Sequence, residues 1–278
     1  MIENYPPALW RVIIQRAADG PTNMAIDEAI AEAVGAGLVP PTLRFYAWEP
    51  ACLSLGYSQP VTDVDFDRLN RQGWDVVRRL TGGRAILHVD ELTYSVVAPV
   101  NEPRVEGGVV ESYRRLSRGL LAGLERVGAS VHAEKSTDGE AHSFKGPVCF
   151  EVPSDYEITV QGRKLLGSAQ TRRNGIVLQH GALPLFGDLG RICDALYFDG
   201  EDEREDAQAR VRQRAITLEE ALGEEISMAR AVRALMAGFC EALKLSLDDE
   251  SPLTPEEIAR AEELRATKYT SQEWTERN

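Results

Sequence analysis

The order of apolar and polar positions divides the 278-residue chain into interspersed helices and strands. From Thr22, the segment TNMAIDEAIAEAVGAG brings Ile26, Ile30, Ala33 and Val34 round at helical spacing, with Asp27 and Glu28 near the positive end and Gly35 and Gly37 as the stop. TLRFYAW and ACLSLG, split by Glu49 and Pro50, are aromatic and aliphatic runs bounded by turn formers, the pattern of a strand pair. Further strands are expected at DVVRR, RAILH, ELTYSVVAP, DYEITVQG and GIVLQHGAL. Helical periodicity returns between Tyr113 and Val127, where Tyr113, Leu116, Leu120, Leu124 and Val127 share a stripe that Gly128 ends. Beyond Asp199 the chain turns to charged helix formers, a smaller helical part in which Met228, Val232, Leu235, Phe239 and Leu243 share one face. A last helix starts at Thr254, with Pro255 at its first position and Glu257 completing a capping box. Several strands follow one another in hairpin succession, which predicts a mixed α/β or α+β sheet and not a doubly wound parallel one.

Composition narrows the setting. With 43 % hydrophobic residues the chain can bury a substantial core. It has no apolar run of membrane-spanning length, and MIENYPPALW has neither the basic region nor the apolar stretch of a signal peptide, so a soluble, cytoplasmic protein without a membrane partner is expected. Cys52, Cys149, Cys193 and Cys240 form no CxxC pair, and His88, His132, His142 and His180 show no HExxH spacing, so reduced thiols and no structural metal are expected. A formal charge of -13 argues against a protein that coats nucleic acid. Arginine pairs at Arg78 and Arg79, Arg114 and Arg115, and Arg172 and Arg173 nevertheless suggest one basic region.

Three segments carry candidate chemistry. In RRLTGGRAILH, Gly82 and Gly83 let backbone N–H groups approach a ligand, while Arg78, Arg79 and Arg84 can hold a carboxylate or phosphate. By itself the segment is also compatible with a tight hairpin bearing solvated arginines, and it matches neither GxxxxGK[ST] nor GxGxxG. In GRKLLGSAQ, Gly162 makes a hairpin turn that sends Lys164 directly into the next strand, at its edge. In KGPVCFEVPSDYE, Cys149 stands between Val148 and Phe150, surroundings that on their own describe an inert core thiol.

Taken in order, TNMAIDEAI, RRLTGGRAILH and GRKLLGSAQTRRNGIVLQHGAL resemble the lipoate ligase, octanoyltransferase and biotin ligase superfamily over roughly Trp10 to Leu245. The resemblance implies a biotin/lipoate ligase-like catalytic domain over residues 1–247, its core at about 38–247, with a mixed sheet flanked by helices and a short C-terminal helical extension at 248–278. Within the superfamily the chain looks most like the M-type octanoyltransferases. Arg84 stands where ATP-using ligases usually have a third glycine, PVCFEVPSDYE supplies a cysteine, and EELRATKYTSQEW resembles the tail of this type. This likeness implies an acyl-thioester nucleophile at Cys149, activated by Lys164, and a substrate-binding set of Arg78, Gly82, Gly83, Arg84, His88, Gly167, Ser168, Ala169 and His180. The two histidines match family positions without an assigned role.

The implied donor is octanoyl-acyl carrier protein and the implied acceptor the H protein of the glycine cleavage system or another lipoyl domain, with no ATP and no metal. Leu53, Leu55, Ile86, Tyr94, Val148 and Leu165 are expected to wall the acyl tunnel, the basic pairs to dock the acidic donor, and Gly167 to Ala169 or Gly82 to Gly83 to hold the oxyanion. Competing expectations are an ATP-dependent lipoate-protein ligase, an amidotransferase between lipoyl domains, and a non-catalytic module that binds lipoyl domains.

Overall fold

The computed structural model describes residues 5–134, 157–248 and 250–277. In chain order the elements are β1 (Ala8–Ile14), α1 (Gly20–Gly35), β2 (Thr42–Tyr46), β3 (Cys52–Leu55), α2 (Phe66–Gln72), β4 (Asp75–Arg78), β5 (Ile86–His88), β6 (Glu91–Pro99) and α3 (Val109–Arg126). There follow β7 (His132–Glu134), β8 (Glu157–Val160), β9 (Arg163–Arg173), β10 (Ile176–Pro184), α4 (Glu201–Arg214), α5 (Leu218–Leu222), α6 (Met228–Leu243), β11 (Leu245–Leu247), α7 (Pro255–Leu264) and α8 (Gln272–Thr275).

Eight strands form one mixed sheet in the order β11-β1-β2-β6-β10-β9-β8-β7, and three form a smaller one in the order β4-β3-β5. The period-2 pattern of β6 explains how the large sheet is covered on both faces. Leu92, Tyr94, Val96 and Ala98 point into a core shared with Leu116, Leu120 and Leu124 of α3 and Val232, Leu235 and Phe239 of α6. The helices after Asp199 therefore complete the main core. On the opposite face Val97 joins Ile26 and Ile30 of α1, and Ala261 and Leu264 of α7 close over them. That second face also carries a polar strip, with Thr93 and Ser95 of β6 beside Arg44 of β2, all buried.

Two expectations about pairing are corrected. β2 and β3 are not partners: β2 lies between β1 and β6 in the large sheet, whereas β3 is the centre of the small one. β4 and β5 likewise do not form a hairpin, because β3 inserts between them, parallel to β4 and antiparallel to β5. The Gly-Gly segment is thus a loop that crosses over the end of β3. The Gln161–Gly162 turn is a true hairpin, with Val160 opposite Arg163 and both turn residues at positive φ, the backbone twist that suits a two-residue connection.

Among the described residues, no helix is long and apolar enough to cross a membrane.

Candidate functional site

The two sheets enclose a cavity of about 230 Å³. Met24 of α1, Tyr46, Trp48, Ile86, Gly181 and Ala182 supply its apolar surface, and Ser54, Arg79, Gly83, Arg84, His88, Thr93, Lys164, Gly167, Ser168, Ala169 and His180 complete the lining. Most of the predicted binding set therefore converges on one space: Gly83, Arg84 and His88 from the small-sheet side, and Lys164, Gly167 to Ala169 and His180 from the large one. Gly82 is exposed at the loop tip and does not line the cavity. Cys149, Val148 and the segment from Lys135 to His142 lie outside the described residues.

Lys164 is only 4 % exposed, and its ammonium donates to Glu157 Oε1 at 2.8 Å across the β8–β9 hairpin. Although it stands at the start of β9, it is not a solvated strand-end lysine. Beside the ladder to β8, Ile216 N donates to the Lys164 carbonyl and covers the strand.

The arginines of the Gly-Gly segment are also reassigned. Arg78 is fully buried and is no cavity residue; its guanidinium donates to the carbonyls of Gly56, Gln59 and Thr275, at 2.7, 2.7 and 3.0 Å. Its charge is spent on loop and tail backbone, so it is not placed to hold a substrate carboxylate. Arg79 shapes the site instead. It donates to the carbonyls of Ser54, Gly82 and Arg84, each at 2.8 Å, and thereby holds the Gly-Gly loop in its bend. Gly56 packs under that bend: a Cβ there would stand 1.9 Å from the Gly83 carbonyl oxygen, so only glycine permits the approach.

Two buried imidazole–carboxylate pairs are set into the cavity wall, with the imidazoles lining it and the carboxylates behind. His180 Nε2 meets Thr81 Oγ1 at 2.6 Å and its Nδ1 faces Asp27 Oδ2 at 3.4 Å. Asp27 also accepts from Arg44 (2.7 Å), Tyr46 (2.9 Å) and Ser95 (2.9 Å). Burial opposes its ionisation, but Arg44 and His180 outweigh burial and hold the carboxyl at about 2. Burial pushes His180 below the ordinary imidazole range, against the pull of Asp27. His88 Nε2 meets Ser54 Oγ at 2.7 Å, its Nδ1 meets Glu91 Oε1 at 2.8 Å, and the Trp48 indole stacks on its ring at 3.9 Å.

Of the expected tunnel walls, Ile86 alone among the described ones lines the cavity. Leu53 and Leu55 pack beneath the small sheet, and Tyr94 and Leu165 belong to the core under α3 and α6. Sequence reasoning missed Asp27, Arg44, Ser54 and Glu91. A signal existed: Asp27 shares a helix face with Met24 and Ile30, and Arg44 interrupts an apolar strand, both costly places for a charge that has no buried partner. Cys52 is fully buried, and burial pushes its thiol well up.

A glycine-rich loop and a lysine strand that close over a small apolar cavity in a mixed sheet define a class, and the chain belongs to it: the family of the lipoyl protein ligase A/B catalytic domain, whose model matches residues 19–240. Among its relatives is octanoyltransferase LipM of Symbiobacterium thermophilum, 44 % identical over 274 residues that cover 96 % of this chain and 98 % of that protein. Octanoyltransferase LipM of Bacillus subtilis is 38 % identical over 270 residues, covering 95 % and 97 %. The fold is that of a bi-partite lipoate protein ligase from Thermoplasma acidophilum, with a TM-score of 0.80 at 24 % identity and coverage of 97 % of this chain and 96 % of that one.

Proposed function

We propose that the chain transfers an octanoyl group from octanoyl-acyl carrier protein to a lysine of a lipoyl domain, the H protein of the glycine cleavage system, through an acyl thioester on Cys149. The observation that carries this reading is Lys164, an ammonium buried in the wall of a cavity that is smaller than the ~300–1,000 Å³ of drug-sized sites and suits a short acyl chain. Likeness along almost the whole chain to proteins named octanoyltransferase supports the choice of acyl group.

The donor is a thioester, so attack by the Cys149 thiolate exchanges one thioester for another with little change in bond energy, and the reaction as proposed needs neither ATP nor metal. Lys164 favours the thiolate and so the attack. The acceptor amine then attacks the acyl carbon, the C–S bond breaks and an amide remains. The oxyanion is held by backbone N–H groups of Gly167 to Ala169 or of Gly82 to Gly83. Beyond Leu166, β9 is paired to β10 alone among the described strands, so alternate N–H groups of Gly167 to Ala169 are turned away from that partner, which favours the first of these.

Docking of an acidic carrier falls to fewer arginines than the sequence suggested. Arg78 and Arg79 are buried, and Arg172 donates to the Val105 carbonyl at 3.0 Å. Arg114 and Arg173 remain exposed. A transfer rate that is indifferent to ionic strength and to Arg114→Glu counts against this docking surface.

The deciding experiment is to incubate the protein with octanoyl-acyl carrier protein without ATP and weigh it intact. Gain of one octanoyl mass that is lost in Cys149→Ala is the expected result. No adduct, together with ATP-dependent transfer of free lipoate, establishes a ligase instead, and loading only from a lipoylated H protein establishes an amidotransferase.

A further inference from the structure

The site contains two matched chains of groups that meet at one guanidinium. Arg79 Nη1 donates to Ser54 Oγ at 3.1 Å, and Arg79 Nε donates to Thr81 Oγ1 at 3.2 Å. Each hydroxyl, having accepted from Arg79, directs its own hydrogen to an imidazole Nε2, Ser54 to His88 and Thr81 to His180. Each imidazole therefore carries its hydrogen on Nδ1, toward Glu91 and Asp27 respectively.

The two chains differ in charge and in their place relative to the cavity wall. The charge of Asp27 is matched by Arg44 at 2.7 Å, so a proton added to His180 adds net positive charge to a buried site that already holds Arg79. Glu91 has no arginine or lysine within ion-pair distance among the described residues. Its partners are His88 and Thr93, whose hydroxyl donates to the same carboxylate oxygen. A proton added to His88 thus makes a neutralised pair. Ser54, moreover, belongs to the cavity wall and Thr81 does not, although both side chains are fully buried. Trp48, itself part of the cavity wall, fixes the arrangement by stacking on His88 while its indole N–H donates to Thr93 Oγ1 at 2.8 Å.

We infer that Ser54, His88 and Glu91 form the proton relay of the acyl-acceptor half-reaction, receiving the proton that the incoming lysine must lose before it attacks. The inference rests on the transfer reaction proposed above and assigns a group to a step that Lys164 does not serve. The acceptor ammonium gives one proton to Ser54 Oγ as the Ser54 hydrogen passes to His88 Nε2, and the imidazolium is held by Glu91. The amine nitrogen forms its bond to the acyl carbon and the C–S bond breaks. The second nitrogen proton leaves with the sulfur as a thiol, and His88 returns its proton to solvent. The charged and titratable groups around His88 are Glu91 on β6, Cys52 opposite it on β3, Arg79 through Ser54, and Tyr46, Arg84, Lys164 and His180 in the cavity wall, with Asp27 behind His180.

The test separates the two half-reactions. Wild type and His88→Gln are loaded with octanoyl-acyl carrier protein, followed by intact mass, and then chased with a lipoyl domain across pH 6–9. Discharge in His88→Gln is expected to fall about 10²–10⁴-fold further than loading near neutral pH, and to recover as pH rises toward the range where lysine deprotonates unaided, near ~10.4. Glu91→Gln keeps an acceptor for Nδ1 and removes the charge; it is read in the same way and serves if His88→Gln does not fold. Loading and discharge slowed equally, or discharge slowed without a change in pH profile, reduces His88 to a structural residue and overturns the relay. A wild type that takes up no octanoyl mass overturns the transferase reading itself, and the relay with it.

Discussion

Lys164 and Glu157 face each other across the first residues of a β-hairpin, ammonium to carboxylate at 2.8 Å, with the lysine buried in the cavity wall and the glutamate outside that wall. The hairpin turn at Gln161 and Gly162 sets this register: one residue more or less would turn Lys164 to the opposite face of β9. Lys164→Met keeps the length of the side chain and removes its charge. Loading of the octanoyl mass is expected to fall on the order of 10²-fold at pH 7, with the residual rate climbing as pH rises through the ordinary thiol range near ~8.5. Loading at the wild-type rate, with an unchanged pH profile, removes Lys164 from the mechanism.

Two buried groups give opposite ends of the acid-stability curve. His180 is held below its ordinary value of 6.5, so as pH falls through 6.5 the unfolded chain takes up a proton that the folded chain refuses, and stability declines. Asp27, depressed from 3.8 to about 2, contributes about 2 kcal/mol above the higher value, a contribution lost as pH falls through the lower. Urea midpoints are expected to drop between pH 7 and 5, and this drop is expected to flatten in His180→Asn. An equal drop in the variant assigns it to other groups.

Gly56→Ala tests the Gly-Gly loop without removing any polar group. The new methyl meets the backbone carbonyl of Gly83 and cannot be accommodated by rotating a side chain, so the loop must move off β3. A loss of about 1–3 kcal/mol in stability is expected, as for other overpacked sites, along with a larger loss of octanoyl loading. If the variant loses stability but loads normally, the loop position is irrelevant to the acyl site.

Helix and strand identities were legible because their signals are local. ELTYSVVAP alternates faces, and β6 spans those nine residues; Met228 to Leu243 shows one apolar stripe, and α6 has those bounds. Pairing was not legible where it depends on distant segments: β3 separates β4 from β5, a crossover that no residue within RRLTGGRAILH announces. The same limit governs the site. Gly83, Arg84, Lys164 and Gly167 to Ala169 were found through motif order, whereas Glu91 and Asp27 acquire meaning only from His88 and His180 beside them. Arg78 shows the converse error, since a guanidinium next to a glycine loop reads as an anion site until its carbonyl partners, one of them nearly two hundred positions away, are in place.

The C-terminal helices are tied to the large sheet by a further buried pair. Arg11 of β1 donates two hydrogen bonds to Glu257 of α7, at 2.8 and 2.6 Å, with both side chains almost fully buried. Glu257 also accepts from Thr254 N at 2.8 Å and so closes the capping box that starts α7. Beyond α7, Trp274 Nε1 donates to the Arg78 carbonyl, and Arg78 in turn grips Thr275, Gly56 and Gln59. Glu257→Gln strips the counter-charge from a buried guanidinium, a change that costs about 3–5 kcal/mol and lowers Tm on the order of 10 °C at this chain size. Arg11→Met combined with Glu257→Leu is expected to restore most of that loss, because no buried charge is then left unpaired. If the tail braces the loop through Arg78, Glu257→Gln also loads octanoate more slowly at temperatures where it is still folded. Unchanged loading there means that α7 stabilises the fold without reaching the site.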